Sequence, residues 1–275
     1  MKIAVTGAQG YLGSQICERL RSEGHEVLAL VRRPSGSPWQ IEFSLGTPID
    51  PSVFRSNGIE SLVHVAYDFQ QTDWDSIQRI NCDGSIALFD AFKGGGGRYG
   101  IYISTIAAWD GCRSLYGRAK LRTEDAAKAH GFWILRPGLI RGGAPGGIVG
   151  TMLRFLRRLP AVPVIGYGLK CLYGIRVTTL CNAIARMSVR YPEDSEDALV
   201  IAADETPMSL DEVLRETIKE QGLRGRILIP CPWQPVWAGI RCLELLGISI
   251  GLRSDSVISL MNQDPKPRLR DLNTL

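Results

Sequence analysis

The chain has 275 residues, enough for one large α/β domain with a smaller lobe attached. Its net charge of +4 is too small to indicate nucleic-acid binding, and its seven scattered cysteines form no CxxC pair. We therefore expect no nucleic acid, no bound metal and no secreted disulfide framework, and we predict a cytoplasmic location. The apolar segment 236–252 is interrupted by Arg241 and Glu244, so no membrane span is expected.

The chain begins with a predicted strand, glycine turn and helix. The apolar run Ile3-Ala4-Val5 leads into GAQGYLG at residues 7–13, and a helical pattern continues to residue 23. Helix-start N–H groups have no internal partner and attract phosphate, and glycines let the backbone approach it. A simple strand-to-helix turn is the alternative, but the position directly after a strand favours a dinucleotide site. We predict that this site includes Gly7, Ala8, Gln9, Gly10, Tyr11, Leu12 and Gly13.

The second predicted strand, residues 26–31, ends at Arg32 and Arg33. In a dinucleotide-binding unit this strand ends beside the adenosine ribose, where an acidic residue would bind the ribose hydroxyls. Arginine offers fixed planar donors that suit a phosphate. We therefore predict a preference for NADP(H), with NAD(H) as the alternative if the two arginines are only surface charges.

Further strands are predicted at residues 41–45, 62–66, 99–104 and 133–135, alternating with helices that include a long one at 74–92. This alternation predicts an α/β fold with a doubly wound parallel sheet of the Rossmann type. Ligands bind beyond the carboxyl ends of such strands, so Ala66 and Tyr67 are expected to face the cofactor. His64, inside its strand, is expected to be a packed core residue.

The predicted Rossmann domain covers residues 1–137 and a returning segment near 172–203, in which residues 175–177 are expected to rejoin the main sheet. Residues 138–171 and 204–275 are predicted to form a smaller C-terminal α/β substrate lobe. This lobe is expected to contain a glycine-rich loop at 142–150, and a helix that begins with a capping box at Ser209 and Glu212. The substrate determinants are expected in residues 67–74, in 138–150 and in this lobe.

The most informative catalytic pattern is Tyr116 followed four residues later by Lys120 on a predicted helix. Residues four apart share a helix face, so the lysine charge is expected to lower the pKa of the phenol and let it act as an acid or base. Lys120 also suits a bond to the nicotinamide ribose. A hydroxyl at the end of the fifth strand, Ser104 or Thr105, would polarise the substrate oxygen.

With these motifs, the chain resembles an extended short-chain dehydrogenase/reductase of the NAD-dependent epimerase/dehydratase type. The similarity covers nearly the whole chain and is most specific at residues 6–13, 104–105, 116–120 and 136–138. It implies that Tyr116 is the general acid/base, that Lys120 is its partner, and that Thr105 orients the substrate, with Ser104 the second candidate. It also implies cofactor contacts from Asn81 and Pro137, and a homodimer built from helices near residues 75–92 and 116–130.

Ile106 and Ala107 stand where sugar dehydratases of the family place an Asp/Glu pair, so dehydration is not expected. The leading hypothesis is an NAD(P)(H)-dependent oxidoreductase or epimerase acting on a sugar-like substrate, such as a nucleotide-sugar, or on a small carbonyl or alcohol. The alternative hypothesis is a non-catalytic NADP-binding sensor or assembly subunit.

Overall fold

The computed structural model describes residues 1–142, 146–169, 171–192, 194, 197–248 and 250–272. The centre of the predicted glycine-rich loop, residues 143–145, lies outside this range. The strands are β1 (Lys2–Thr6), β2 (Glu26–Val31), β3 (Gln40–Glu42), β4 (Ser61–His64), β5 (Tyr99–Ile103), β6 (Trp133–Pro137), β7 (Leu139–Arg141), β8 (Ala161–Ile165), β9 (Gly174–Arg176), β10 (Leu199–Ala202) and β11 (Ile227–Cys231). The helices are α1 (Tyr11–Ser22), α2 (Pro51–Ser56), α3 (Trp74–Ile77), α4 (Gly84–Gly94), α5 (Leu115–Ala129), α6 (Gly147–Arg158), α7 (Val177–Met187), α8 (Leu210–Glu220), α9 (Trp233–Leu245) and α10 (Ser254–Met261).

Seven strands form one parallel sheet in the order β10-β6-β5-β4-β1-β2-β3. The predicted doubly wound parallel sheet is therefore confirmed. From β1 the chain adds β2 and β3 on one side of the sheet. It then crosses to the other side of β1 and adds β4, β5, β6 and later β10. The direction in which strands are added therefore reverses between β1 and β4. In open α/β sheets the crevice at this reversal, beyond the carboxyl ends of the strands, is the place where ligands bind.

The sheet is buried on both faces because its strands are nearly continuous apolar runs. Along β1, Ile3 and Val5 pack in the cluster that contains α1 and α7, whereas Ala4 packs in the cluster that contains α2, α4 and α5. This alternation is the period-two geometry of a strand. The two layers of helices hold the carboxyl ends of β1, β4 and β5 at one edge of the domain.

The prediction that residues 175–177 rejoin the main sheet is wrong. β9 pairs with β7 in a separate two-stranded sheet, and β10 is the strand that adds to the main sheet beside β6. The chain leaves the main sheet at Gly138, where a Cβ would lie 2.2 Å from the carbonyl oxygen of Tyr173. Directly after this close approach β7 pairs with β9, with Leu139 opposite Gly174.

The C-terminal part has its own core, made from α6, α8, α9, α10, β8 and β11.

The predicted capping box is confirmed, since the Ser209 hydroxyl accepts the Glu212 N–H and the Glu212 carboxylate accepts the Ser209 N–H. The predicted long helix at 74–92 is present as one helical run in which α3 and α4 are joined by a π-helical segment, Gln78–Asp83. Among the described residues, no helix is long and apolar enough to cross a bilayer.

Candidate active site

The glycine turn joins β1 to α1 at the crevice. Gly7 has a φ of 64°, which favours glycine, and its carbonyl oxygen accepts the Gly10 N–H at 2.9 Å. A Cβ on Gly13 would lie 2.1 Å from that same oxygen, so α1 approaches the turn closely only because residue 13 is glycine. Gly10 precedes α1 without a side-chain cap, which leaves the first N–H groups of the helix without a side-chain partner.

The other residues of the turn contribute in different ways. Ala8 and Leu12 are buried, so they face the core and offer only backbone atoms to a ligand. Tyr11 donates its hydroxyl proton to the carbonyl oxygen of Gly142 at 2.5 Å and thereby connects the turn to the residue that follows β7. Gln9 is exposed at the tip of the turn.

Two neighbouring segments border the turn. Arg32 and Arg33 are exposed just after β2, and the Gln9 side-chain amide donates to the carbonyl oxygen of Arg33 at 3.4 Å. On the other side, a Cβ on Gly7 would lie 3.1 Å from the backbone of Ala66. The turn therefore lies between the ends of β2 and β4, as a dinucleotide-binding turn does.

His64 is a core residue, as predicted. The Thr6 oxygen accepts two backbone N–H groups that follow β4, so its own proton goes to His64 Nδ1, 2.7 Å away. His64 Nε2 then donates to Ser85 Oγ at 2.8 Å, and Ser85 donates to the carbonyl oxygen of Asn81. Burial lowers the pKa of His64 to about 3, and the charge of Lys120 contributes to the shift, so the ring is neutral and serves in packing.

Asn81 lies in the π-helical segment and is buried. Its Oδ1 accepts the Asp68 N–H at 2.6 Å, and its Nδ2 donates to the Asp68 carbonyl oxygen at 3.1 Å. Both polar atoms of the side chain are thus directed at the loop that follows β4. Asn81 shapes the crevice by holding this loop, which is a different contribution from the direct cofactor contact that the resemblance implies.

The two candidate hydroxyls at the end of β5 point to different partners. Thr105 accepts the Ala107 N–H at 3.3 Å, and its side chain is close enough to the phenol of Tyr116 to lower the pKa of that phenol. The buried Ser104 hydroxyl donates to Glu124, whose carboxylate also accepts two hydrogen bonds from Arg136. Next to them, the carbonyl oxygen of Pro137 accepts the Ile106 N–H at 3.0 Å. Of the two hydroxyls, Thr105 is the one beside Tyr116.

Lys120 lies under a group of aromatic rings. Its Nζ donates to the carbonyl oxygen of Ile103 at 2.7 Å and lies 4.8 Å from the ring centroid of Tyr102, 5.3 Å from that of Tyr67 and 5.9 Å from that of Tyr116. Burial lowers the pKa of Lys120 to about 7, partly opposed by Glu124. Desolvation therefore disfavours the charged form of Lys120.

The expected lowering of the Tyr116 pKa by Lys120 differs from what the structure shows. Burial raises the pKa of Tyr116 to about 12, and the hydrogen bond from Thr105 opposes this shift. The physical reason is that desolvation disfavours the phenolate more strongly than the neighbouring groups favour it. The phenol is therefore protonated at neutral pH.

The low pKa of Lys120 makes stability depend on pH. Between about pH 7 and 10.5 the unfolded chain keeps a proton on this lysine that the folded protein has lost, so raising the pH through this window favours the folded state. We expect the free energy of unfolding of the wild type, relative to Lys120→Met, to rise by roughly 1–2 kcal/mol from pH 7 to 9. Urea unfolding at both pH values measures this, with the exposed Lys128→Met as the control. An equal difference at the two pH values would contradict the assignment.

The C-terminal part contributes residues to the site that sequence reasoning missed. The carboxylate of Asp255 accepts the N–H groups of Leu115 and Tyr116, at 2.7 and 3.0 Å, and so caps the helix that carries Tyr116. Arg253 donates to the carbonyl oxygen of Phe69 at 3.0 Å, and Asn262 accepts the Arg113 N–H at 2.9 Å. No local sequence signal indicates these contacts.

A glycine turn at the reversal of a parallel sheet, together with a helix that carries Tyr116 and Lys120, is the arrangement typical of an extended short-chain dehydrogenase/reductase. Residues 3–131 match the model of the NAD dependent epimerase/dehydratase family, so this part of the chain is similar to that family. Members of this family and its structural neighbours are NAD(P)-dependent epimerases, dehydratases and reductases.

Among curated proteins, the chain is similar to the ceramide reductase of Caulobacter vibrioides (strain NA1000 / CB15N), with 31% identity over 173 residues that cover 59% of this chain and 53% of that protein. The match thus spans about half the length of this relative.

Two solved structures show the same fold. MoeE5 in complex with UDP-glucose and NAD has a TM-score of 0.68 at 19% identity, covering 94% of this chain and 97% of that one. The dTDP-4-dehydrorhamnose reductase of Bacillus anthracis str. Ames in complex with NADP has a TM-score of 0.67 at 17% identity, with the same coverage of 94% and 97%.

Proposed function

We propose that this protein is an NADPH-dependent reductase that converts a carbonyl compound into an alcohol, with Tyr116 as the proton donor. The observation that carries the proposal is the position of Tyr116, whose ring lies 4.9 Å from that of Tyr67 and 5.9 Å from the Lys120 Nζ, next to Thr105 at the end of β5. Carbonyl reduction requires a protonated group beside the substrate oxygen, and the phenol of Tyr116 carries its proton at neutral pH. The names of two similar proteins, a ceramide reductase and a dTDP-4-dehydrorhamnose reductase, support a reduction.

The glycine turn fits the pyrophosphate of a dinucleotide. Side chains at Gly7 or Gly13 would collide with or crowd backbone atoms, and the N-terminus of α1 has no side-chain cap. Such an N-terminus binds anions through its N–H groups and its dipole. Arg32 and Arg33 would then hold the 2′-phosphate that distinguishes NADP from NAD.

When bound, the reduced nicotinamide supplies the hydride that forms the new C–H bond. Thr105 holds the carbonyl oxygen beside Tyr116, and Tyr116 donates its proton to that oxygen, which completes the alcohol and leaves a phenolate. The ammonium form of Lys120 stabilises this phenolate from below, after which a solvent proton restores the phenol. Ile106 and Ala107 are buried and carry no acid or base, which disfavours dehydration even though dehydratases are among the similar solved structures.

Calorimetric titration with NADPH and NADH, followed by a panel of carbonyl compounds, tests the proposal. The expected result is tighter binding of NADPH and consumption of NADPH with a carbonyl substrate. Turnover without net consumption of NADPH would indicate an epimerase instead. Tight NADPH binding without turnover would indicate the non-catalytic alternative, for which the structure offers no specific supporting observation.

Removing the two arginines is expected to alter cofactor choice. In the double variant Arg32→Ala/Arg33→Ala, the Kd for NADPH should rise by about tenfold, because a charge-assisted hydrogen bond contributes roughly 1.5–3 kcal/mol. The Kd for NADH should stay within about twofold, since NADH lacks the phosphate. Arg21→Ala, an exposed arginine on α1, is the control. If the affinities for NADH and NADPH fall equally in the double variant, the two arginines do not bind the 2′-phosphate.

A further inference from the structure

An exposed aromatic ring lies directly beside the catalytic phenol. The side chain of Phe69 is 55% exposed, although large apolar groups are normally withdrawn from water. Its ring centroid lies 5.6 Å from that of Tyr116 and 4.8 Å from that of Tyr67. The exposed ring of Phe69 is therefore a direct neighbour of the Tyr116 ring.

The Phe69 ring is held in place by the backbone around it. Asn81 fixes both backbone groups of Asp68, and the Asp68 carboxylate accepts the Gln70 N–H at 3.0 Å. Arg253 donates to the carbonyl oxygen of Phe69 itself. An apolar surface that is held in this way loses little conformational entropy when a ligand covers it, which is the property of a preorganised binding surface.

The charged side chains next to these rings are already bonded to backbone atoms. Lys120 donates to the Ile103 carbonyl oxygen, Asp255 accepts two N–H groups at the start of α5, and Arg253 donates to Phe69. Recognition of a phosphate or of several sugar hydroxyls needs polar groups that are available to the ligand. Beside Tyr116 the polar atoms without a partner in the described part of the chain are the Tyr67 hydroxyl and the Arg253 Nε, both buried, whereas the exposed surface is the apolar ring of Phe69.

We therefore propose that the substrate is a ketone that carries a hydrocarbon group of several carbons, and that Phe69 binds this group while Tyr116 and Thr105 bind the oxygen. The proposal rests on the proposed function, because it names the substrate class of the same site. It makes Phe69 a specificity-determining residue, whose loss changes the choice among ketones.

The test is the NADPH-dependent reduction of a homologous series from 2-butanone to 2-octanone by the full chain. For the wild type, kcat/KM should rise by about two- to fourfold with each added methylene, as transfer of a methylene from water to an apolar surface predicts. In Phe69→Ala the ratio of kcat/KM for 2-octanone to that for 2-butanone should fall by about tenfold or more, and Phe69→Leu should recover most of the ratio. The control is Trp39→Ala, which removes a 49% exposed ring that shares a cavity with Lys2 and Glu26, at the starts of β1 and β2.

Dihydroxyacetone, a ketone of similar size to 2-butanone but polar, separates the two proposals. Reduction of dihydroxyacetone without any preference for the longer alkanones would overturn the inference about Phe69 and leave the reductase function standing. An unchanged preference in Phe69→Ala would also overturn it. Tight NADPH binding with no reduction of either type of ketone would overturn the proposed function, and the substrate inference with it.

Discussion

Replacing Tyr116 by phenylalanine is expected to lower kcat by about three orders of magnitude, because a positioned acid or base contributes roughly 10²–10⁴ in rate. The Kd for NADPH should stay within about twofold of the wild type. Phenylalanine keeps the ring that packs edge-to-face against Tyr67 at 4.9 Å and beside Phe69, so the site keeps its shape. Only the phenolic hydroxyl of Tyr116 is removed.

Steady-state NADPH oxidation and calorimetric titration measure the two quantities separately. Tyr167→Phe is the matched control, since it removes the hydroxyl that accepts a hydrogen bond from Arg215 at 2.7 Å in the C-terminal part. This control should turn over at the wild-type rate. If Tyr116→Phe also keeps wild-type turnover, the proton comes from another group, and the assignment of Tyr116 fails.

Local patterns in the sequence were enough to predict the elements that face the crevice. The strand, the glycine turn and the helix at residues 1–23 are contiguous, so spacing alone indicates their geometry. Tyr116 and Lys120 are one helical turn apart, and a helix of any tertiary context brings them to the same face. The alternation of apolar runs with amphipathic segments likewise predicts the parallel sheet.

What the sequence did not reveal depends on contacts between distant residues. Asp255 meets the start of α5 across 140 positions of sequence, and Arg253 reaches Phe69 across 184. β9 is only three residues long, so its own pattern does not say which strand it joins. The direction of the Tyr116 pKa shift depends on how much protein covers the phenol, and burial is a property of the folded chain.

The charge on Lys120 illustrates the same limit. A lysine four residues after a tyrosine favours the phenolate only if the ammonium is charged and near the oxygen. In the folded protein the Nζ bonds to Ile103, and burial lowers its own pKa to about 7. In the reaction that we propose, the phenol is neutral until it donates its proton, and the ammonium form of Lys120 then stabilises the phenolate.

Replacing Gly13 by alanine is expected to raise the Kd for NADPH by about a hundredfold or more. The added Cβ would lie 2.1 Å from the oxygen and 2.7 Å from the carbon of the Gly7 carbonyl. These are backbone atoms of the turn itself, so α1 has to move outward and withdraw its N-terminal N–H groups from the pyrophosphate position. Overpacking of this kind costs roughly 1–3 kcal/mol in folding stability.

Gly239→Ala is the matched control because it makes the same substitution inside another helix, α9, where nothing lies within 4 Å of the added Cβ. There alanine should raise the free energy of unfolding by up to about 1 kcal/mol through its higher helix propensity and leave NADPH binding unchanged. Calorimetric titration and urea unfolding of both variants separate a local effect on the turn from a general loss of stability. If Gly13→Ala binds NADPH as tightly as the wild type, the N-terminus of α1 does not hold the pyrophosphate, and the cofactor has to be bound by another part of the chain.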